Sequence, residues 1–185
     1  VRFGTTSGAA TSYRRMLLPR VRNNARISGV WGAGVGVEIA NSNTNSLYVP
    51  STAEFDVGLD LGGYNSGCAY NNIELGYIYS NKRNLRMSPK SATGWANQNT
   101  FIGGRIGFNT IDFTTSGYVG TRQMVFAQGI GPSLGGPNNN TFTGTSIEST
   151  LVEYLMEFNE SASYNVFANC RYEGSVNILM HSDTN

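Results

Sequence analysis

Residues 26–79 read RISGVWGAGVGVEIANSNTNSLYVPSTAEFDVGLDLGGYNSGCAYNNIELGYIY, and the fold turns on how this stretch is read. Ile27, Trp31, Ala33, Val35, Val37 and Ile39 take odd positions, against Ser28, Gly32, Gly34, Gly36 and Glu38 on even ones. The alternation returns as Phe55, Val57, Leu59 and Leu61 against Glu54, Asp56, Gly58 and Asp60. It returns once more as Ile73, Leu75, Tyr77 and Tyr79 against Asn72, Glu74, Gly76 and Ser80. Successive side chains of a strand point to opposite faces, so each segment predicts one apolar face and one of glycines and carboxylates. In a sandwich the apolar face is core; in an outer-membrane barrel it meets lipid, and the other face lines a lumen.

The 185 residues suit one domain, or a piece of a larger protein. Val1 rather than Met opens the chain, as expected of a processed or trimmed product, so a signal peptide is neither shown nor excluded. With 13 basic and 12 acidic residues, no global field points to nucleic acid or to an acidic substrate. A mean hydropathy of −0.25 and the lack of a long apolar run argue against spanning helices, a test to which a β-barrel is invisible. Cys68 and Cys170 are the only cysteines, and spacing leaves open whether they pair.

Strands are predicted at 26–40, 53–63, 69–80, 100–113, 117–128, 147–158, 163–173 and 175–181, with no helical period anywhere. Long connections (41–52, 81–99, 129–146) alternate with short ones (64–68, 114–116, 159–162), the pattern of an up-and-down antiparallel meander. In the later strands Thr100, Ile102, Ile106 and Phe108 form one expected apolar face. Val152, Tyr154, Met156 and Phe158 form another, and Tyr164, Val166, Ala168, Cys170 and Tyr172 a third. The opposite face collects Glu38, Asp56, Asp60, Glu74, Arg105, Arg122, Glu153, Glu157, Arg171 and Glu173, which are the expected lumen-lining residues. Glycines at 32, 34, 36, 58, 76, 103 and 107 share that face. Glycine weakens an open strand surface but suits a crowded, curved interior, so the expectation is an all-β antiparallel up-and-down barrel of about eight or more strands. The alternative is an eight-stranded jelly-roll sandwich.

Residues 1–25 are read as an extended basic arm, 26–181 as the β domain and 182–185 as a polar tail. The arm holds Arg2, Arg14, Arg15, Arg20 and Arg22 and no acidic residue; it could contact phosphates or be solvated or paired elsewhere. Catalytic chemistry has little to stand on. His181 is the only histidine, and neither cysteine has a CxxC spacing. Glu153 and Glu157 on one strand would be about 13 Å apart, too far for a glycosidase pair, as would Asp56 and Asp60. The glycine clusters at 129–131 and 135–136 lack the strand-to-helix setting of a phosphate loop. No catalytic residue, metal or cofactor is expected.

Asn99-Thr-Phe-Ile-Gly-Gly-Arg-Ile-Gly-Phe108 resembles a strand of the BBP7 / Lpg1974-like outer-membrane β-barrel family. Phe126-Ala-Gln-Gly-Ile-Gly-Pro-Ser-Leu-Gly135 resembles the segment that follows it there, and residues 163–179 resemble the next paired strands, in the same order over about residues 70–180. The resemblance implies a pore-forming or structural barrel of the bacterial outer membrane, with no catalytic residues to transfer. Such a barrel contacts membrane lipid, and because eight strands closed alone leave a lumen filled by side chains, a homo-oligomer or larger assembly is expected. The rival expectation is a capsid or other assembly protein of a virion, whose arginine arm contacts nucleic acid. A third is a carbohydrate-binding sandwich in which Tyr48 and Trp95 stack on sugars.

Overall fold

The described strands all pair in parallel. The fold is that of a computed structural model describing residues 1–7, 9–23, 32–107, 121–127, 136–148, 152–159, 161–174 and 176–181. A seven-stranded sheet, face A, contains β1 (Arg2–Gly4), β5 (Gly32–Ala40), β8 (Phe55–Gly62), β10 (Arg83–Met87), β13 (Arg122–Phe126), β16 (Tyr154–Phe158) and β19 (Ile178–Met180), neighbours in that order. A ten-stranded sheet bends into two further faces. Face B carries β3 (Arg15–Leu17), the first halves of β7 (Ser46–Ala53) and β9 (Asn72–Tyr79), then β11 (Thr100–Ile102), β14 (Thr141–Thr143) and β17 (Val166–Ala168). Face C carries β4 (Val21–Arg22), the second halves of β7 and β9, then β12 (Arg105–Gly107), β15 (Ser146–Glu148) and β18 (Arg171–Glu173). Between faces A and B, β2 (Thr11–Ser12) pairs with β6 (Ser42–Asn43). The chain visits A, B and C in turn and then begins the next rung: a three-faced parallel β-solenoid.

This topology overturns the antiparallel up-and-down barrel, and the jelly-roll sandwich with it. Two-residue alternation reports a strand with one buried face and is blind to the direction of its neighbour. The expected long connections are themselves stranded: 41–52 holds β6 and most of β7, 81–99 holds β10 and 129–146 holds β14, so the chain moves onward from face to face where a meander would turn back beside the previous strand. The parts of the predicted strands at 26–31, 108–113 and 117–120, together with Phe108 and residues 128–135 of the second resembling segment, lie outside the described residues.

Parallel, in-register stacking turns each inward position into a column running along the solenoid. On face A, Val37, Leu59, Leu85, Met124 and Met156 form one column, and Ile39, Leu61, Met87, Phe126 and Phe158 the next. On face B the column is Leu47, Ile73, Phe101, Phe142 and Phe167. Phe101 stacks on Phe142 with centroids 4.3 Å apart, Phe142 on Phe167 at 5.0 Å, and Phe126 meets both Phe142 and Phe167 edge-on at 6.1 Å. Each fully buried phenylalanine contributes roughly 1.5–3 kcal/mol of transfer free energy, so these columns dominate the core.

The expected face assignments change where the register shifts between Gly32 and Val35, leaving Ala33 exposed, and at the corner between faces B and C. There Pro50, Gly76, Gly103–Gly104 and Gly144 stack, and the alternation slips by one residue. Ile73 and Leu75 point inward on face B, but beyond Gly76 it is Ile78 that is buried, and Tyr77 and Tyr79 turn outward. In the next rung Phe101 and Ile106 fill the core and Ile102 is exposed. In the last, Phe167 faces inward and Val166 outward. The glycines serve this corner and the rung contacts. A Cβ on Gly76 would lie 2.0 Å from the Pro50 carbonyl oxygen, and one on Gly58 would lie 2.3 Å from Asn81 Nδ2.

The arginine-rich N-terminal stretch belongs to the solenoid. β1 extends face A beside β5, while β3 and β4 lie beside β7.

Candidate functional site

Each face-B strand from β7 onward is entered through an asparagine: Asn45, Asn71, Asn99, Asn140 and Asn165. The amide oxygens of Asn71, Asn99, Asn140 and Asn165 each accept from the backbone N–H and the side-chain Nδ2 of the asparagine one rung earlier. For Asn99 toward Asn71 these distances are 3.2 and 2.9 Å. At the first rung the backbone N–H of Arg14 donates to Asn45 Oδ1 at 2.8 Å, so the ladder anchors the chain where β3 begins. Asn45, Asn71, Asn99 and Asn140 are fully buried, and such polar groups are tolerated because they satisfy one another.

With the backbone held in this way, outward residues of face B also form columns. Leu17, Tyr48, Glu74 and Ile102 make one; Arg15, Ser46, Asn72 and Thr100 make its neighbour. All of these but Thr100, together with Met16 and Leu47, line a groove of about 530 Å³ on the outside of face B. Adjacent strands lie about 4.8 Å apart, so four strands give a floor about 14 Å long, parallel to the solenoid axis. Leu17 is 71% exposed and Ile102 45%, apolar surface presented on either side of the Tyr48 ring and the Glu74 carboxylate.

The other charges expected at a lumen are held in ion pairs, between rungs except for Arg171 with Glu173 on one strand, outside a core filled by apolar side chains. Glu38, 8% exposed, accepts from Arg2 Nε at 2.7 Å and from the Tyr64 hydroxyl at 2.6 Å. Asp60, 1% exposed, is gripped by Arg86 Nη2 at 2.6 Å and Lys90 Nζ at 2.7 Å. Burial pushes the Tyr64 hydroxyl up to about 12, reinforced by its bond to Glu38, and desolvation lowers the Lys90 ammonium from its ordinary value. Asp56 meets Arg83 at 3.1 Å. Arg122 joins Glu153 at 2.9 Å and Glu157 at 2.6 Å, with its guanidinium over the Tyr154 ring, and His181 also reaches Glu157. Arg105 pairs with Glu148 and covers Tyr77, while Arg171 pairs with Glu173 at 2.9 Å. Of the ten, only Glu74 stands in the groove.

The arginines of the N-terminal stretch divide. Arg2 and Arg22 are tied to Glu38 and Glu54, each at 2.7 Å, whereas Arg14, Arg15 and Arg20 are exposed. Cys68 and Cys170 are free thiols, the first fully buried. Tyr48 lies in the groove; Trp95 sits elsewhere, against Gly67 at the turn between faces A and B. No cluster of three potential metal ligands occurs among the described residues.

Sequence reasoning missed the asparagine ladder, the partners Glu54, Arg83, Arg86, Lys90 and Glu148, and the groove itself. One signal was available: asparagine, a variable residue, then a large apolar residue recurs as Asn45-Ser-Leu47, Asn71-Asn-Ile73, Asn99-Thr-Phe101, Asn140-Thr-Phe142 and Asn165-Val-Phe167. Compared with protein-family models, curated proteins and solved structures, the chain matches none.

Proposed function

We propose that this β-solenoid binds an extended carbohydrate chain along the outside of face B. The observation that carries the reading is the axis-parallel groove, in which an apolar and aromatic column (Leu17, Tyr48, Ile102) runs beside a hydrogen-bonding one (Ser46, Asn72). A sugar ring offers an apolar face to stack on a side chain such as Tyr48, and equatorial hydroxyls to the polar column. A polymer of such rings repeats, as the rungs do. The groove supports binding rather than cleavage: Glu74 is the one carboxylate among its lining residues, and glycoside hydrolysis generally employs two.

The test is affinity electrophoresis of the protein through gels containing a panel of soluble polysaccharides, repeated with Tyr48→Ala. Retardation by at least one polymer, reduced about tenfold in affinity by Tyr48→Ala, is the expected result; tenfold corresponds to about 1.4 kcal/mol. Retardation by none, or retardation unaffected by the substitution, refutes the assignment. A reducing-end assay on the bound polymer is expected to show no release.

A further inference from the structure

The groove has a positive flank with no internal compensation, and from it we infer that the bound chain is an acidic glycan, one bearing carboxylate or sulfate groups. This rests on the carbohydrate reading of the groove. The first 23 residues hold five arginines and no acidic residue. Arg2 and Arg22 are neutralised by Glu38 and Glu54. Arg14, Arg15 and Arg20 are exposed, and no ion pair joins them to a carboxylate among the described residues. Arg15 lines the groove directly, its Cα in register with Ser46, and it points outward with Leu17 while Met16 takes the register of inward Leu47. Arg14 immediately precedes it, its backbone fixed by the 2.8 Å bond to Asn45 of the ladder.

The Arg15 guanidinium therefore stands at one end of the groove, next in sequence to the ladder-anchored Arg14, and pairs with no carboxylate among the described residues. Such a fork matches a carboxylate or sulfate bidentately, and preorganisation lowers the cost of ordering it. At the other side of the floor lies Glu74, two strands away from β3, roughly 10 Å by strand spacing. A nucleic acid brings a phosphate with every unit and would carry anions past that carboxylate. A glycan with acidic groups separated by neutral ring faces and hydroxyls can set an anion on Arg15, a ring on Tyr48 and a hydroxyl on Glu74. The distribution of charge along the groove therefore favours the glycan.

The experiment compares polygalacturonate with its methyl ester, which share a backbone and differ in charge, and adds a sulfated glycan and oligo-dT of similar length. Affinities are read by isothermal titration calorimetry at low and moderate salt, for the full chain and for the double variant Arg14→Gln, Arg15→Gln. Both side chains are exposed, so the variant is expected to keep the parent's circular dichroism spectrum and urea midpoint. The expected result is binding of an acidic glycan about tenfold or more tighter than of the neutral ester, weakening with salt, with the preference lost in the variant. Equal affinity for acid and ester overturns the acidic class and leaves carbohydrate binding standing. A preference for oligo-dT overturns it in favour of nucleic acid. Failure to bind any glycan, here and in the polysaccharide panel, overturns both.

Discussion

Replacing Asn71 by alanine removes one step from the middle of the asparagine ladder, and the structure allows its cost to be worked out. Asn71 Oδ1 accepts from the Asn45 backbone N–H at 3.1 Å, from Asn45 Nδ2 at 3.2 Å and from the Ser42 hydroxyl at 3.0 Å. Its Nδ2 donates to the Ser42 carbonyl at 2.6 Å and to Asn99 Oδ1 at 2.9 Å. Several partners survive truncation. The Ser42 carbonyl keeps the Ala69 N–H, Asn45 Nδ2 keeps the Thr11 and Asn43 carbonyls, and Asn99 Oδ1 keeps the Asn71 N–H. The Asn45 N–H is left without an acceptor and the Ser42 hydroxyl loses its own. An orphaned buried donor costs about 1–3 kcal/mol, and with the hydroxyl and the small cavity the total is about 3–5 kcal/mol. Urea unfolding followed by far-UV circular dichroism measures it, as a lowered midpoint at unchanged slope. Asn72→Ala is the control: the neighbouring side chain is exposed, and its loss is expected within about 0.5 kcal/mol of the parent. If the two variants unfold at the same urea concentration, the ladder does not stabilise the fold in the way argued.

Other perturbations probe the rung contacts and the corner. Asp60→Ala leaves Arg86 and Lys90 against each other without their carboxylate, and a loss of about 3–5 kcal/mol is expected in the same urea assay. Tyr64 holds its proton to about 12 in the folded protein against 10.0 unfolded, so between those values the folded state binds more protons and stability falls as pH rises. Tyr64→Phe should flatten that alkaline loss, and an unchanged pH profile between 10 and 12 would contradict the coupling. At the corner, Gly76→Ala drives a Cβ against the Pro50 carbonyl and is expected to cost about 2–3 kcal/mol. Gly103→Ala meets nothing within 4 Å and should cost about 1 kcal/mol, from its φ of +62° alone, so equal midpoints for the two would refute the steric account.

Local chemistry made much of this protein legible in its sequence. Alternation along 35–61 grouped Val37, Ile39, Val57, Leu59 and Leu61 on one apolar face, because a half-buried strand must place apolar side chains on one side whatever lies beside it; the barrel expectation turned that face to lipid, whereas the structure buries it in the core. The abundance of turn residues and the missing helical period likewise made an all-β chain the expectation, and the structure's described elements are strands. The direction of pairing was not legible, since antiparallel and parallel neighbours impose the same two-residue period. A solenoid announces itself by a fixed repeat, and here the rung length varies, from 22 residues between Glu38 and Asp60 to 39 between Arg86 and Val125. Loop-closure entropy grows only slowly with length, so such insertions are tolerated and the period is lost from view. The same holds at the candidate site. Glu74 and Tyr48 were visible as residues, but their meeting with Arg15 and Ile102 depends on registers across 26 to 31 residues of chain, and only stacking of the rungs makes them one surface.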